Sequence, residues 1–144
     1  MYKLRKSTIA IVLALFVVPL LAGCASRSTK VTLTSYKIAF DNDRTTLPSG
    51  DNTFVVTNTA DQEHEFVIFK TDLAADQLPL TADGTQVDEE GQGVTHIDEL
   101  GGIQAGETQT LKVSLQPGKY VAICNLTDPS SHYMAGMHYA FTVK

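Results

Sequence analysis

Three side chains that bind soft metal ions lie close together near the C-terminus. The segment CNLTDPSSHYMAGM at residues 124–137 contains the thiol of Cys124, the imidazole of His132 and the thioether of Met137, and it lies between two strand-like segments. Thiolate, imidazole and thioether are ligands that copper favours over harder donors. The segment therefore predicts a copper site.

Two other side chains in this region compete as ligands. Met134 is a second thioether in the same segment, and His138 is a second imidazole just after it. Met137 is in phase with Tyr139 on the expected inward face of the last strand, whereas His138 has the opposite parity. We predict Met137 as the thioether ligand, with Met134 as the alternative.

The N-terminus predicts export and lipidation. Three basic residues precede an apolar run of 14 residues, and LAGC at residues 21–24 resembles a bacterial lipobox that ends at Cys24. An uncleaved anchor is the alternative, but the run contains Pro19 and a spanning helix needs about 20 residues. We predict a signal peptide over residues 1–23, lipidation of Cys24, and a tether over residues 24–30.

Export makes the second cysteine informative. The chain has two cysteines, so lipidation of Cys24 leaves Cys124 without an intramolecular partner. In an oxidising compartment, an unpaired thiol needs burial, a partner chain or a metal ion. Burial alone is the simpler explanation of Cys124 taken by itself.

The predicted location is the extracytoplasmic side of a bacterial membrane, at the cell surface or in the periplasm, with the lipid as the anchor.

Charge and motif content exclude several functions. Removal of residues 1–23 takes away three basic and no acidic residues and lowers the net charge from -5 to -8, so nucleic acid is not an expected partner. The chain has no serine–histidine–acid arrangement, phosphate loop or paired-cysteine zinc motif, and we do not expect an enzyme. Residues 31–144 suit one monomeric domain with one core.

Most of this domain alternates apolar and polar residues with a period of two, which predicts an all-β sandwich. The first strand changes phase after Leu33, which predicts a β-bulge near residues 34–35. Six further strands are predicted over residues 53–58, 64–70, 94–100, 108–115, 119–124 and 137–143, and the run at 64–70 is apolar on both faces, as in a central strand.

Residues 71–93 break the alternation and are rich in acidic residues, glycine and proline. We expect a surface excursion that is irregular or contains one short helix. Its carboxylates do not follow the spacing of an EF-hand loop, so a solvated acidic segment is favoured over a calcium site. We expect the excursion to steer a basic partner.

The motifs resemble those of the cupredoxins, which are small Greek-key β-sandwiches with a type 1 (blue) copper site. PGKYVAICN at residues 117–125 and HYMAGM at residues 132–137 resemble the terminal hairpin of plastocyanin-like and azurin-like proteins. VTNTADQEH at residues 56–64 resembles the family's upstream strand, which ends in asparagine shortly before a histidine.

The resemblance implies one copper ion per chain, cycling between Cu(I) and Cu(II). Its implied ligands are His64, Cys124, His132 and Met137. The side-chain chemistry agrees, because type 1 copper takes two imidazoles and a thiolate in a roughly trigonal plane with a weak axial thioether. By analogy with the family, His132 is exposed and is the exit for the electron.

One feature departs from the family pattern. Seven residues separate Cys124 from His132, whereas relatives with the same Asn-Leu sequence after the cysteine have a shorter gap. Residues 127–131 resemble an inserted turn, which affects the potential and geometry of the site more than metal binding itself.

The favoured function is a one-electron carrier between redox protein partners at the membrane surface. The apolar residues near Tyr133, Met134 and Ala135 are the expected docking patch. A copper carrier, chaperone or sensor that delivers copper to another protein is the alternative, although the chain lacks long methionine-rich or histidine-rich tracts. A cupredoxin-like module that never binds copper is a third possibility, against which the presence of all four donors argues.

Overall fold

The structure is a computed structural model that describes residues 28–144. The predicted signal peptide and Cys24 lie outside the described residues. The first strand begins at Ser28, so residues 28–30, predicted as the end of the tether, belong to the sandwich instead. Their alternating burial, with Thr29 inward, continues the pattern of the strand.

Within residues 28–144, nine strands and one 3-10 turn make up the regular structure. The strands are β1 (Ser28–Thr34), β2 (Lys37–Phe40), β3 (Thr46–Leu47), β4 (Gly50–Asn58), β5 (His64–Thr71), β6 (Val94–Ile103), β7 (Thr108–Leu115), β8 (Gly118–Ile123) and β9 (His138–Val143). The 3-10 turn spans Asp41–Asp43. In this described part, no helix is long and apolar enough to cross a membrane.

The strands form two sheets, with the orders β2-β1-β4-β7 and β3-β9-β8-β5-β6. The pairings are antiparallel except for β1 with β4 and β3 with β9. This arrangement confirms the predicted all-β sandwich. β5 lies between β8 and β6, which explains why it is apolar on both faces: Phe66 and Ile68 enter the main core, while Val67 and Phe69 enter a second one.

The predicted β-bulge near residues 34–35 is wrong. Thr34 pairs with Lys37 in an antiparallel ladder, so the chain reverses there and starts a new strand. Leu33 and Ile38 face each other in this hairpin, and both are buried. A bulge and a tight reversal both break the alternation, so the periodicity alone does not distinguish them.

Aromatic side chains fill the core between the sheets. The rings of Phe40, Phe54, Phe66 and Phe141 form five contacting pairs with centroids 5.4 to 6.3 Å apart. Each buried phenylalanine contributes about 1.5 to 3 kcal/mol from removal of its surface from water. Cys124 and Met137 lie in the same core, so the site is built into the packed interior.

The excursion over residues 71–93 is irregular and contains no helix, and its one bridge joins Leu80 to Val87. It is less superficial than its composition suggests. Leu78 and Val87 are buried in the second core, against the outer face of the sheet that carries β5 and β8. The excursion therefore covers the sheet beside the predicted ligands.

Candidate metal centre

The sheet brings together two donors that lie 60 residues apart in the sequence. His64 is the first residue of β5, and Cys124 follows the last residue of β8. These strands are antiparallel neighbours, with Val67 opposite Ile123, so the start of β5 meets the end of β8. His132 and Met137 lie in the loop that connects β8 to β9.

Three donor atoms converge in the interior. The Nδ1 atoms of His64 and His132 are 3.2 Å apart, and the Sγ atom of Cys124 lies 3.2 Å from Nδ1 of His132 and 3.7 Å from Nδ1 of His64. All three residues are 0% exposed. A trigonal metal ion with bonds of about 2.0 Å to nitrogen and about 2.3 Å to sulfur needs donor separations of about 3.5 to 3.7 Å. The cluster fits one metal ion to within about 0.5 Å.

Met137 is the thioether on the inner side of the loop. It is fully buried in the core that contains Cys124, whereas Met134 is 58% exposed. Two backbone hydrogen bonds hold it, because Met137 donates its N–H to the carbonyl of His132 and accepts the N–H of Cys124. His138 is partly exposed and its ring packs against Tyr133, away from the donor cluster.

Burial sets the protonation of the metal-free site. It lowers the pKa of His64 to about 4, with a smaller contribution from the nearby imidazole of His132, and it raises the pKa of the Cys124 thiol to about 11. His64 is therefore neutral at pH 7, and the thiol keeps its proton until a metal ion replaces it. The backbone N–H of Glu65 points at Sγ from 3.4 Å and favours the thiolate.

The structure contradicts the expected exposure of His132. Its Nε2–H donates to the carbonyl oxygen of Asp128 at 2.9 Å, and no part of the residue reaches solvent. Residues 127–131 bring the carbonyl of Asp128 against the ring, and a sequence motif does not reveal that path. With Nε2 carrying the proton, Nδ1 presents a lone pair to Cys124 and His64, which is the form that a metal ion requires.

The structure also contradicts the predicted exposure of Tyr133 in the docking patch. It is 4% exposed, and its hydroxyl donates to the carbonyl of Ala75 and accepts the N–H of Leu78, both at 2.9 Å. It thus attaches the ligand loop to the excursion. Met134 and Ala135 are exposed as predicted.

Two buried asparagines form hydrogen bonds with the backbone segments next to the ligands. Asn58 donates through Nδ2 to the carbonyls of Gln62 and Ile103, and so closes the turn that leads to His64. Asn125, next to Cys124, exchanges hydrogen bonds with the backbone of Val87. In the sequence, both asparagines are recognisable only as amide side chains at a strand end near a ligand. Their burial and their hydrogen-bond partners are visible only in the structure.

A second donor cluster lies near the surface. Nε2 of His96, on β6 as predicted, is 3.4 Å from a carboxylate oxygen of Glu99 and 3.8 Å from one of Glu89. All three side chains are more than one-third exposed, and exposed acidic groups often lie close together without a metal ion. We therefore treat this cluster as a surface contact between an imidazole and two carboxylates and not as a metal site.

Comparison with known proteins gives one family and a consistent set of folds. The family model described as copper binding proteins, plastocyanin/azurin family, matches residues 27–144. No curated protein sequence matches the chain. The crystal structure of reduced auracyanin from the photosynthetic bacterium Roseiflexus castenholzii is similar over 83% of this chain and 98% of that one, with 24% identity and a TM-score of 0.58.

Two further solved structures share the fold. Rusticyanin from Thiobacillus ferrooxidans is 14% identical over 83% of this chain and 79% of that one, with a TM-score of 0.57. A multi-copper oxidase from Pediococcus acidilactici is 17% identical with a TM-score of 0.51, and the match covers 97% of this chain but 31% of that one. At these identities the likeness concerns the fold alone.

Proposed function

The chain belongs to the plastocyanin/azurin family of copper-binding proteins, and from this premise we propose that it carries single electrons between redox proteins on the extracytoplasmic side of a bacterial membrane. The observation that carries the proposal is the buried trio of His64, Cys124 and His132, with donor atoms 3.2 to 3.7 Å apart. Met137 is the proposed axial ligand. When bound, copper supplies a Cu(II)/Cu(I) couple.

The protein's own contribution is to hold the donors still. His64 and the residue before Cys124 lie on paired strands of one sheet, and backbone hydrogen bonds join Met137 to both Cys124 and His132. A packed interior resists movement of these side chains. Little rearrangement between two oxidation states favours fast electron transfer.

The closed site favours electron transfer over copper delivery and over catalysis on a substrate. All four proposed ligands are 0% exposed. Delivery of copper to another protein needs ligands that a partner's donors can reach, and catalysis needs room for a substrate beside the metal ion. Electrons, in contrast, cross a few ångströms of protein without either. We therefore place no bond-making step at this site.

The fold suggests how a lipid anchor on Cys24 would orient the domain. β1 runs parallel to β4, with Ser28 opposite Thr53 and Leu33 opposite Asn58, the residue that braces the turn before His64. The chain thus enters at the end of the sandwich away from the metal centre. A tether there leaves the centre facing outward, toward partner proteins, with Met134 in the exposed docking patch.

Visible absorption spectroscopy tests the proposal. We expect the Cu(II)-loaded protein to show a strong thiolate-to-copper band that bleaches on reduction and returns on oxidation. A Cys124→Ser variant is expected to lack the band, and a Met134→Leu control is expected to keep it. If the protein is colourless but still binds Cu(I) tightly, the result would contradict electron transfer and favour copper carriage.

A further inference from the structure

The imidazole of His132 has two close neighbours besides the donor cluster. The carbonyl oxygen of Asp128 lies 2.9 Å from Nε2, and the ring of Tyr36 packs edge-on with its centroid 5.3 Å from that of the imidazole. Tyr36 comes from the β1–β2 turn, so separate parts of the chain enclose the ring. The result is a ligand candidate with no exposed surface.

We propose that residues 127–131 are a cap that orients His132 through the Asp128 carbonyl and separates its imidazole from water and from docking proteins. This inference rests on the proposed function in taking His132 as a copper ligand. The cap residues themselves are mostly exposed. A redox partner therefore contacts the cap backbone, one hydrogen bond away from the ring, rather than the edge of the ring itself.

The other imidazole of the site shows what the cap adds. Nε2 of His64 is buried and has no hydrogen-bond partner, so packing and its place at the start of β5 hold that ring. His132 lies in an irregular loop with no ladder to position it. A hydrogen bond from the non-ligating nitrogen fixes both the tautomer and the direction of such a ring. The cap supplies that bond where the secondary structure does not.

Three residues of the cap also line a pocket. It has a volume of about 320 Å³ and is lined by Gln62, Glu63, Leu126, Thr127, Asp128 and Pro129. Asp128 thus faces His132 with its carbonyl and contributes to the wall of a pocket that is open to solvent. Glu63 and Asp128 are both acidic, which fits a basic side chain of the partner.

Nitrogen NMR of the metal-free protein tests the cap. We expect His132 to be a single tautomer with the proton on Nε2, and we expect this proton to exchange with solvent at least about tenfold more slowly than the ring protons of the partly exposed His138. A variant that lacks residues 128–130 should exchange at least about tenfold faster and show mixed tautomers. Ser130→Ala, which keeps the length of the cap, is the matched control and should behave as wild type.

Fast exchange or mixed tautomers in the wild-type protein would overturn the cap, even if the shortened variant failed to fold. These signals do not require copper. A single, slowly exchanging tautomer of His132 in a protein without a blue band would support the cap and contradict the proposed electron transfer. A blue band together with a rapidly exchanging His132 would support electron transfer and contradict the cap.

Discussion

The side-chain amide of Asn125 pairs with the backbone of Val87 as a neighbouring strand would. Val87 donates its N–H to Oδ1 at 2.6 Å, and Nδ2 donates to the carbonyl of Val87 at 3.0 Å. Asn125 follows Cys124, and its own N–H donates to the carboxylate of Glu65 at 2.7 Å. The thiol ligand is thereby fixed to the excursion on one side and to β5 on the other.

Replacement of Asn125 by alanine should loosen the thiol ligand. The change leaves two buried backbone groups of Val87 unpaired, which costs about 1 to 3 kcal/mol for each group that water does not reach. We expect a lower melting temperature and a faster loss of copper, measured by thermal unfolding and by chelator competition. Gln116→Ala, at an exposed amide, is the control. A variant with unchanged stability and unchanged copper loss would show that the pair has no role in the site.

A Met137→Leu variant should show which of the two methionines, Met137 or Met134, is the axial ligand. Leucine has a similar volume, so the free energy of unfolding should change by less than about 1.5 kcal/mol. Loss of an axial electron donor favours Cu(I), and we therefore expect a higher reduction potential in cyclic voltammetry. Met134→Leu, at an exposed position, should leave the potential unchanged. The reverse pattern would assign the axial position to Met134.

Most of the strands and the ligands of the C-terminal loop were accessible from the sequence because both depend on short patterns. Period-two alternation marks the strands, and the order of Cys124, His132 and Met137 sets the loop between β8 and β9. The burial of His132 was not accessible, since it depends on the path of residues 127–131. Tyr133 was misjudged for a related reason: its partners, Ala75 and Leu78, lie more than 50 residues away in sequence.

Metal-free protein should lose stability on acidification because of His64. Burial lowers its folded pKa from 6.5 to about 4, so between these values the unfolded chain binds a proton that the native state does not. Stability therefore rises with pH from about 4 to about 6.5 and gains nothing from this group above that. Burial raises the pKa of Glu65 and opposes the trend. Thermal melts across this range should show a smaller slope for His64→Gln, and an identical slope would contradict the assignment.

Copper loading should make stability depend more strongly on pH. The bound metal ion requires the thiolate of Cys124, whereas the thiol of the metal-free native state keeps its proton because burial raises its pKa to about 11. Unfolding with loss of copper therefore takes up a thiol proton that unfolding of the metal-free protein does not, so the melting temperature of the loaded protein should rise more steeply with pH. Absorption and thermal unfolding recorded on the same samples check this. Equal pH slopes for loaded and metal-free protein would indicate that the thiolate of Cys124 is not a ligand.

Neutralising the pocket beside the cap should slow reaction with a cationic reductant. For the Glu63→Gln, Asp128→Asn double variant, we expect slower reduction of the Cu(II) protein by hexaammineruthenium(II) at low ionic strength, with the difference lost in high salt. Asp51→Asn is the control for charge, because Asp51 lies about 23 Å along β4 from Asn58. Stopped-flow kinetics gives the rates. The reduction potentials of the variants are measured first, so that differences in driving force are not mistaken for differences in attraction. If Asp51→Asn alone slows the reaction as much as the double variant does, overall charge rather than this pocket attracts the reagent.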